Sequence, residues 1–135
     1  MLLPGALAAV AKAFAEDPAL DLLYGRAWFI DAHGRRTREY PTLDYDFRHL
    51  VQHCFVCQPA TFWRRRLHEG HGWFDPAFDS TFDYEFWLRV ASRGARIRHL
   101  PEFLAESRPA SSALICGLID PRMKIEIEIT ARKRG

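Results

Sequence analysis

The stretch FDYEFWLRVASRG, residues 82–94, puts two carboxylates, Asp83 and Glu85, at the head of an apolar run with helical spacing. Two residues apart on a helix, they point roughly 200° away from each other and cannot share one proton. They are not a paired acid dyad. A lone carboxylate in the first turn of a helix is held ionised by the free backbone N–H groups and the helix dipole. That suits a general base, and it equally suits a plain helix start. On spacing alone the helix start is the simpler reading.

Cys54 and Cys57 form C-x-x-C, a spacing found in zinc ribbons and thiol redox sites. The third cysteine, Cys116, has no neighbour to make a second such pair, although His49 and His53 could complete a set of four ligands. Cysteine is also a small buried hydrophobe, and CFVC lies inside an apolar run, so core cysteines are favoured over metal. LHEGHG brings His68 and His71 around Glu69 but lacks the H-E-x-x-H order of metalloproteases, and it reads as a polar loop. The sequence contains no glycine-rich phosphate loop, G-x-S-x-G elbow or kinase signature.

The chain that must position these groups has 135 residues, the length of one ordinary domain with a real core. Its 27% charged and 48% hydrophobic residues match a soluble globular protein. A net charge of +2 does not argue for nucleic acid, although Arg64, Arg65 and Arg66 are adjacent. No segment reaches the roughly 20 apolar residues of a membrane span, and MLLPGALAAVAKAF lacks a basic leading segment. Three cysteines cannot pair completely, so a reducing, cytoplasmic setting is expected.

Hydrophobic spacing at Leu7, Val10, Ala11 and Phe14 predicts a helix from Pro4 to about Glu16. DLLYGRAWFID predicts a strand, turning at Gly34 into a second short strand that ends near Tyr40. YDFRHLVQH predicts a short helix, and CFVCQPATFWR an edge or interrupted strand because of Pro59. RRRLHEGHG predicts one or two helical turns ending at Gly70 or Gly72. The helix 83–93 buries Phe86, Trp87, Val90 and Ala91 as one stripe and stops at Gly94. ARIRHLP and EFLAESR predict two short strands, and KIEIEIT alternates like a half-exposed strand.

The order of these pieces carries a resemblance. LLPGALAAVAKAF, LLYGRAWFIDAHGRRTREYP and CQPATFWRRRLHEGHGWFDPAFDSTFDYEFWLRVASRGARIRHLPEFLAESR together resemble the C-terminal half of a family 2 glycosyltransferase of the GT-A fold. The resemblance covers about residues 2–108 and is most specific from Gln58 to Arg89. It implies an α/β, partial Rossmann-like domain, a short mixed sheet with flanking helices, over residues 1–112, with an unassigned tail at 113–135. Asp83 falls on the position of the catalytic base and Glu85 on that of a second acid. Gln58, Thr61, Arg64 and Arg65 fall in the segment bordering the acceptor site, and Arg89 suits an ion pair with an acid such as Glu85.

Two positions depart from the family pattern. Arg26 follows Tyr24-Gly25 where an aspartate is usual, and Pro109-Ala110 follow Arg108 where a histidine is frequent.

The family moves a sugar from a nucleotide-sugar donor to a hydroxyl of a glycan or lipid-linked acceptor with inversion, in cell-envelope polysaccharide and related assembly, often at the inner face of the membrane. Its nucleotide and its divalent metal, Mg or Mn, are held by an N-terminal half whose acidic motif would stand just before Met1. The resemblance therefore implies little activity from this chain alone, and an exposed strand edge prone to self-association or to pairing with a missing half. A non-catalytic glycan- or partner-binding fragment is one alternative. A small zinc or redox protein using Cys54 and Cys57 is the other.

Overall fold

A computed structural model describes residues 1–78 and 81–108. The elements run α1 (Ala6–Glu16), β1 (Leu22–Ile30), β2 (Arg36–Glu39), α2 (Phe47–Gln52), a 3-10 turn (Gln58–Ala60), β3 (Thr61–Trp63), α3 (Arg66–His71), α4 (Phe82–Ser92) and β4 (Ile97–Ser107). The result is an α/β fold with a small mixed sheet of four strands and flanking helices, as the sequence predicts. The Cys116 position, the KIEIEIT strand and the tail 113–135 lie outside the described residues.

β1 is the axis of the fold. One edge pairs in parallel with β4 from Leu22 to Phe29. The other edge is shared end to end by two antiparallel partners, β3 against Leu22–Tyr24 and β2 against Trp28–Ile30. Alternate residues then enter two separate cores, because successive side chains of a strand point to opposite faces. Leu22 and Tyr24 join a cluster with Leu50 of α2 and Tyr84, Phe86, Trp87 and Leu88 of α4. Leu23, Ala27 and Phe29 join another with Ala6, Val10 and Ala13 of α1.

Two elements, α1 and β4, differ from the expectation. α1 starts at Ala6, after Gly5 in a left-handed conformation (φ 79°), and not at Pro4. It buries Ala6, Val10 and Ala13 while Leu7 faces water, because small residues let the helix sit close to the sheet. ARIRHLP and EFLAESR are one continuous strand, β4, and not two. Pro101 is absorbed by register shifts opposite Gly25 and Arg26, where a missing N–H interrupts the ladder without ending it.

The second of those shifts explains Gly25. Leu104 folds over it so closely that a Cβ there would lie 2.5 Å from Leu104 Cγ and 3.0 Å from the Glu102 carbonyl oxygen. Leu104 is completely buried. Gly25→Ala is accordingly expected to destabilise the fold by about 1–3 kcal/mol, the usual cost of overpacking. Urea unfolding should show a lower midpoint with an unchanged slope.

Candidate functional site

α4 is buried on nearly all sides: Tyr84 through Leu88 and Val90 through Ser92 are inaccessible. Its first turn is the exception. Asp83 stays half-buried, with Oδ1 accepting the Tyr84 N–H at 2.8 Å, while the preceding Thr81 makes no side-chain cap. Burial raises the Asp83 pKa above the ordinary 3.8, and the backbone N–H bonds that favour the anion offset this only in part. The helix start does supply donors to Asp83, as the sequence implies, but desolvation outweighs them. A carboxylate with raised proton affinity is better matched to taking a proton near neutral pH.

Glu85 has the opposite fate. Turned into the interior and 6% exposed, it holds Arg89 through two bonds, Nε to Oε1 at 2.9 Å and Nη2 to Oε2 at 3.1 Å. This is the ion pair expected of Arg89. The same guanidinium donates to the carbonyl of His71 and, at 2.7 Å, to that of Trp73. Glu85 is thus a structural anchor for the segment after α3.

The other residues implied by the resemblance are spread along the chain. Gln58 is exposed at the start of the 3-10 turn. Thr61 is buried and its hydroxyl donates to the Cys57 carbonyl at 2.6 Å. Arg64 donates to the carbonyls of Leu20 at 2.6 Å and Phe14 at 2.8 Å, and lies over the Phe14 ring, so it ties down the end of α1. Arg65 is exposed where α3 begins. The structure gives Thr61 and Arg64 internal partners and leaves Gln58 and Arg65 at the surface.

Cys54 and Cys57 are both buried, and they belong to different cores, Cys54 beside α4 and Cys57 beside α1. His49 and His53 lie at the surface instead. Among the described residues no group of three or more His, Cys, Asp or Glu could hold a metal ion.

Two features carry no signal in residue spacing. His68, expected in a polar loop, is half-buried and stacks on Phe86 (5.0 Å between centroids) and on Trp73 (3.8 Å). The indole N–H of Trp63 donates to its Nε2 at 2.8 Å, which makes Nδ1 the protonated nitrogen and the donor to the Gly72 carbonyl at 3.1 Å. Beside this stack a groove of about 250 Å³ is lined by Phe74, Asp75, Pro76, Phe78 and Phe82. Phe82 is the residue before Asp83 in the chain, and Asp83 itself does not line the groove. The density of aromatics from Trp63 to Trp87 was the available hint.

A separate polar cluster has a scaffolding role: His99 stacks on Tyr24 and binds Asp44 at 2.8 Å, while the Tyr24 hydroxyl donates to the Leu43 carbonyl at 2.6 Å. Together they fasten the segment before α2 to the sheet. No family model matches the sequence, and no curated protein matches it either.

Two outcomes follow from the two carboxylates. Because the folded state raises the Asp83 pKa, the native protein favours the protonated acid, and ionisation costs stability as pH rises above 3.8. Asp83→Asn should therefore raise the melting temperature at pH 7, and the gain should vanish in acid below 3.8, as thermal unfolding across pH will show. Arg89→Met should do the reverse, costing on the order of 3 kcal/mol because Glu85 is left buried without its partner. Adding Glu85→Leu should recover most of that loss in denaturant titrations.

Proposed function

We propose that this chain is the acceptor-side part of an inverting, nucleotide-sugar-dependent glycosyltransferase, with Asp83 as its general base. The observation that supports this most is Asp83 itself. Within a helix buried nearly all round, it is the one carboxylate kept at the rim, with raised proton affinity, one residue after the groove-lining Phe82. The resemblance of residues 58–89 to the acceptor half of family 2 enzymes assigns the base to the same residue.

In this reading an acceptor hydroxyl donates a hydrogen bond to Asp83. As its oxygen attacks the anomeric carbon from the side opposite the departing nucleoside diphosphate, the proton passes to the carboxylate, and the sugar is delivered with inverted configuration. Partial burial assists twice. It raises the basicity of the carboxylate and keeps bulk water from competing for the anomeric carbon. Glu85 and Arg89 take no part in proton transfer; they hold the segment 71–73 that leads into the groove.

The divalent metal implied by the resemblance would neutralise charge on the leaving diphosphate. The described residues offer no ligand group that fits it, so neither metal nor donor binding is assigned to them. A nucleotide-sugar donor, a glycan or lipid-linked acceptor and action at the inner face of a membrane belong to the same proposal. Among the described residues no helix is long and apolar enough to cross a membrane.

The test is calorimetric titration with nucleoside diphosphates and their sugars, with and without manganese, followed by an assay of diphosphate release with hydroxyl acceptors. Transfer that falls about 10²–10⁴-fold in kcat on Asp83→Asn, with KM little changed, is the expected result. Folded protein whose transfer is indifferent to Asp83→Asn counts against the reading, whereas folded protein that binds no donor agrees with an acceptor half severed from its donor site.

A further inference from the structure

The segment after α3 ends in an exposed tryptophan. Trp73 is 67% exposed, far more than any other indole among the described residues. Such a side chain forgoes the burial of up to roughly 200 Å² of mostly apolar surface. A lone exposed hydrophobe is ordinary when it is loosely held. Trp73 is not loosely held.

Three rings form a column from the core to the surface. Phe86 is fully buried, His68 stacks on it at 5.0 Å and 20°, and Trp73 stacks on His68 at 3.8 Å and 11°. The imidazole cannot swivel, because Trp63 donates to one nitrogen and the Gly72 carbonyl accepts from the other. The Trp73 backbone is fixed as well, its carbonyl bound by Arg89, which Glu85 holds in turn. One indole face is therefore committed to His68, and the rest of the ring is presented to solvent in a set orientation.

The neighbouring residues narrow the chemistry of a ligand. Phe74 and Asp75, next in the chain, line the groove that reaches Phe82 beside Asp83. Asp75 Oδ1 accepts the Ala77 N–H at 2.9 Å, and a carboxylate keeps capacity for further hydrogen bonds. An aromatic face followed two residues on by a groove-lining carboxylate suits a ligand with a flat C–H face and a rim of hydroxyl donors. It disfavours an anion, which Asp75 would repel. It also offers little to a wholly apolar partner, since Phe74, Phe78 and Phe82 are already half-buried.

We propose that the open face of Trp73 is a seat for one pyranose ring of a saccharide acceptor, with Asp75 receiving hydrogen bonds from its hydroxyls. This rests on the acceptor-side reading above and names the substrate class as an oligosaccharide of at least two units, one ring on Trp73 and the next extending along the groove towards Asp83.

The test uses tryptophan fluorescence of the full chain titrated with cellobiose, lactose and mannobiose, with tetramethylammonium as a cationic control. At least one disaccharide should shift or quench the emission saturably. Trp73→Ala should weaken that binding about tenfold or more, while Trp73→Phe, which keeps a ring face, should retain part of it. Disaccharide binding that is lost on Trp73→Ala upholds the saccharide seat whether or not the chain turns over, and transfer that is indifferent to Asp83→Asn removes the transferase reading alone. Transfer whose acceptor KM is unchanged by Trp73→Ala would do the opposite, sinking the seat and leaving the transferase. No saturable response to any of the three sugars, or a response to tetramethylammonium alone, in a sample shown to be folded by circular dichroism, overturns the proposal.

Discussion

A strand has two edges and two faces, and β1 uses all four. Parallel pairing with β4 takes one edge, β3 and β2 divide the other, α1 covers one face and α2 with α4 cover part of the other. No other element of the described structure is attached so completely. Its sequence, LLYGRAWFI, is accordingly near-continuous in apolar residues at its start, the pattern of a strand buried on both faces. Gly25 marks the place where that crowding reaches its limit, with Leu104 occupying the volume a side chain would need.

Closing α4 onto this strand creates the second constraint. A helix with eight of its eleven residues buried has little room for charge, yet it carries two acids and an arginine. Glu85 at 8% and Arg89 at 14% side-chain exposure compensate each other, and Arg89 has donors left over for the carbonyls of His71 and Trp73. A charge pair that is of doubtful value for stability by itself thus gains a positional use. It converts the rigidity of the core into the rigidity of a surface segment. Asp83 shows the converse relation, a group held where its charged form is unfavourable, which is a cost in stability that working residues commonly carry.

Much of this was legible in the sequence because it depends on local rules. The hairpin turn at Gly34, the stop at Gly94 and the extent of α4 follow from backbone freedom and apolar periodicity, and all three are found. The Glu85–Arg89 pair follows from i, i+4 spacing. What spacing could not give depends on neighbours distant in the chain. Pro101 reads as a strand break, and only the register slip against β1 shows how one strand absorbs it. Leu7 reads as core, and only the closeness of α1 to the sheet shows that alanines serve better there. His68 reads as loop because its partners, Trp63 on β3, Trp73 on the segment after α3 and Phe86 on α4, come together only in the fold. The raised pKa of Asp83 is likewise a property of burial, which the helix-start argument by itself points away from.

The division between the two carboxylates is finally a matter of helical geometry. At 100° per residue, Asp83 and Glu85 must face in nearly opposite directions, so a helix that buries one is compelled to keep the other at its rim. Burying Glu85 requires a cation, and the residue one turn later supplies it. Asp83 has no cation contributing to its pKa shift and receives only backbone N–H bonds. An acid without an ion-pair partner among the described residues, and partly desolvated, keeps lone pairs for an incoming proton. An acid chelated by arginine does not. Exchanging the two positions would leave composition and helix propensity unchanged and would abolish both arrangements, which is why the order D-x-E-x-x-x-R, and not the mere presence of acids, decides which acid is paired and which stays at the rim.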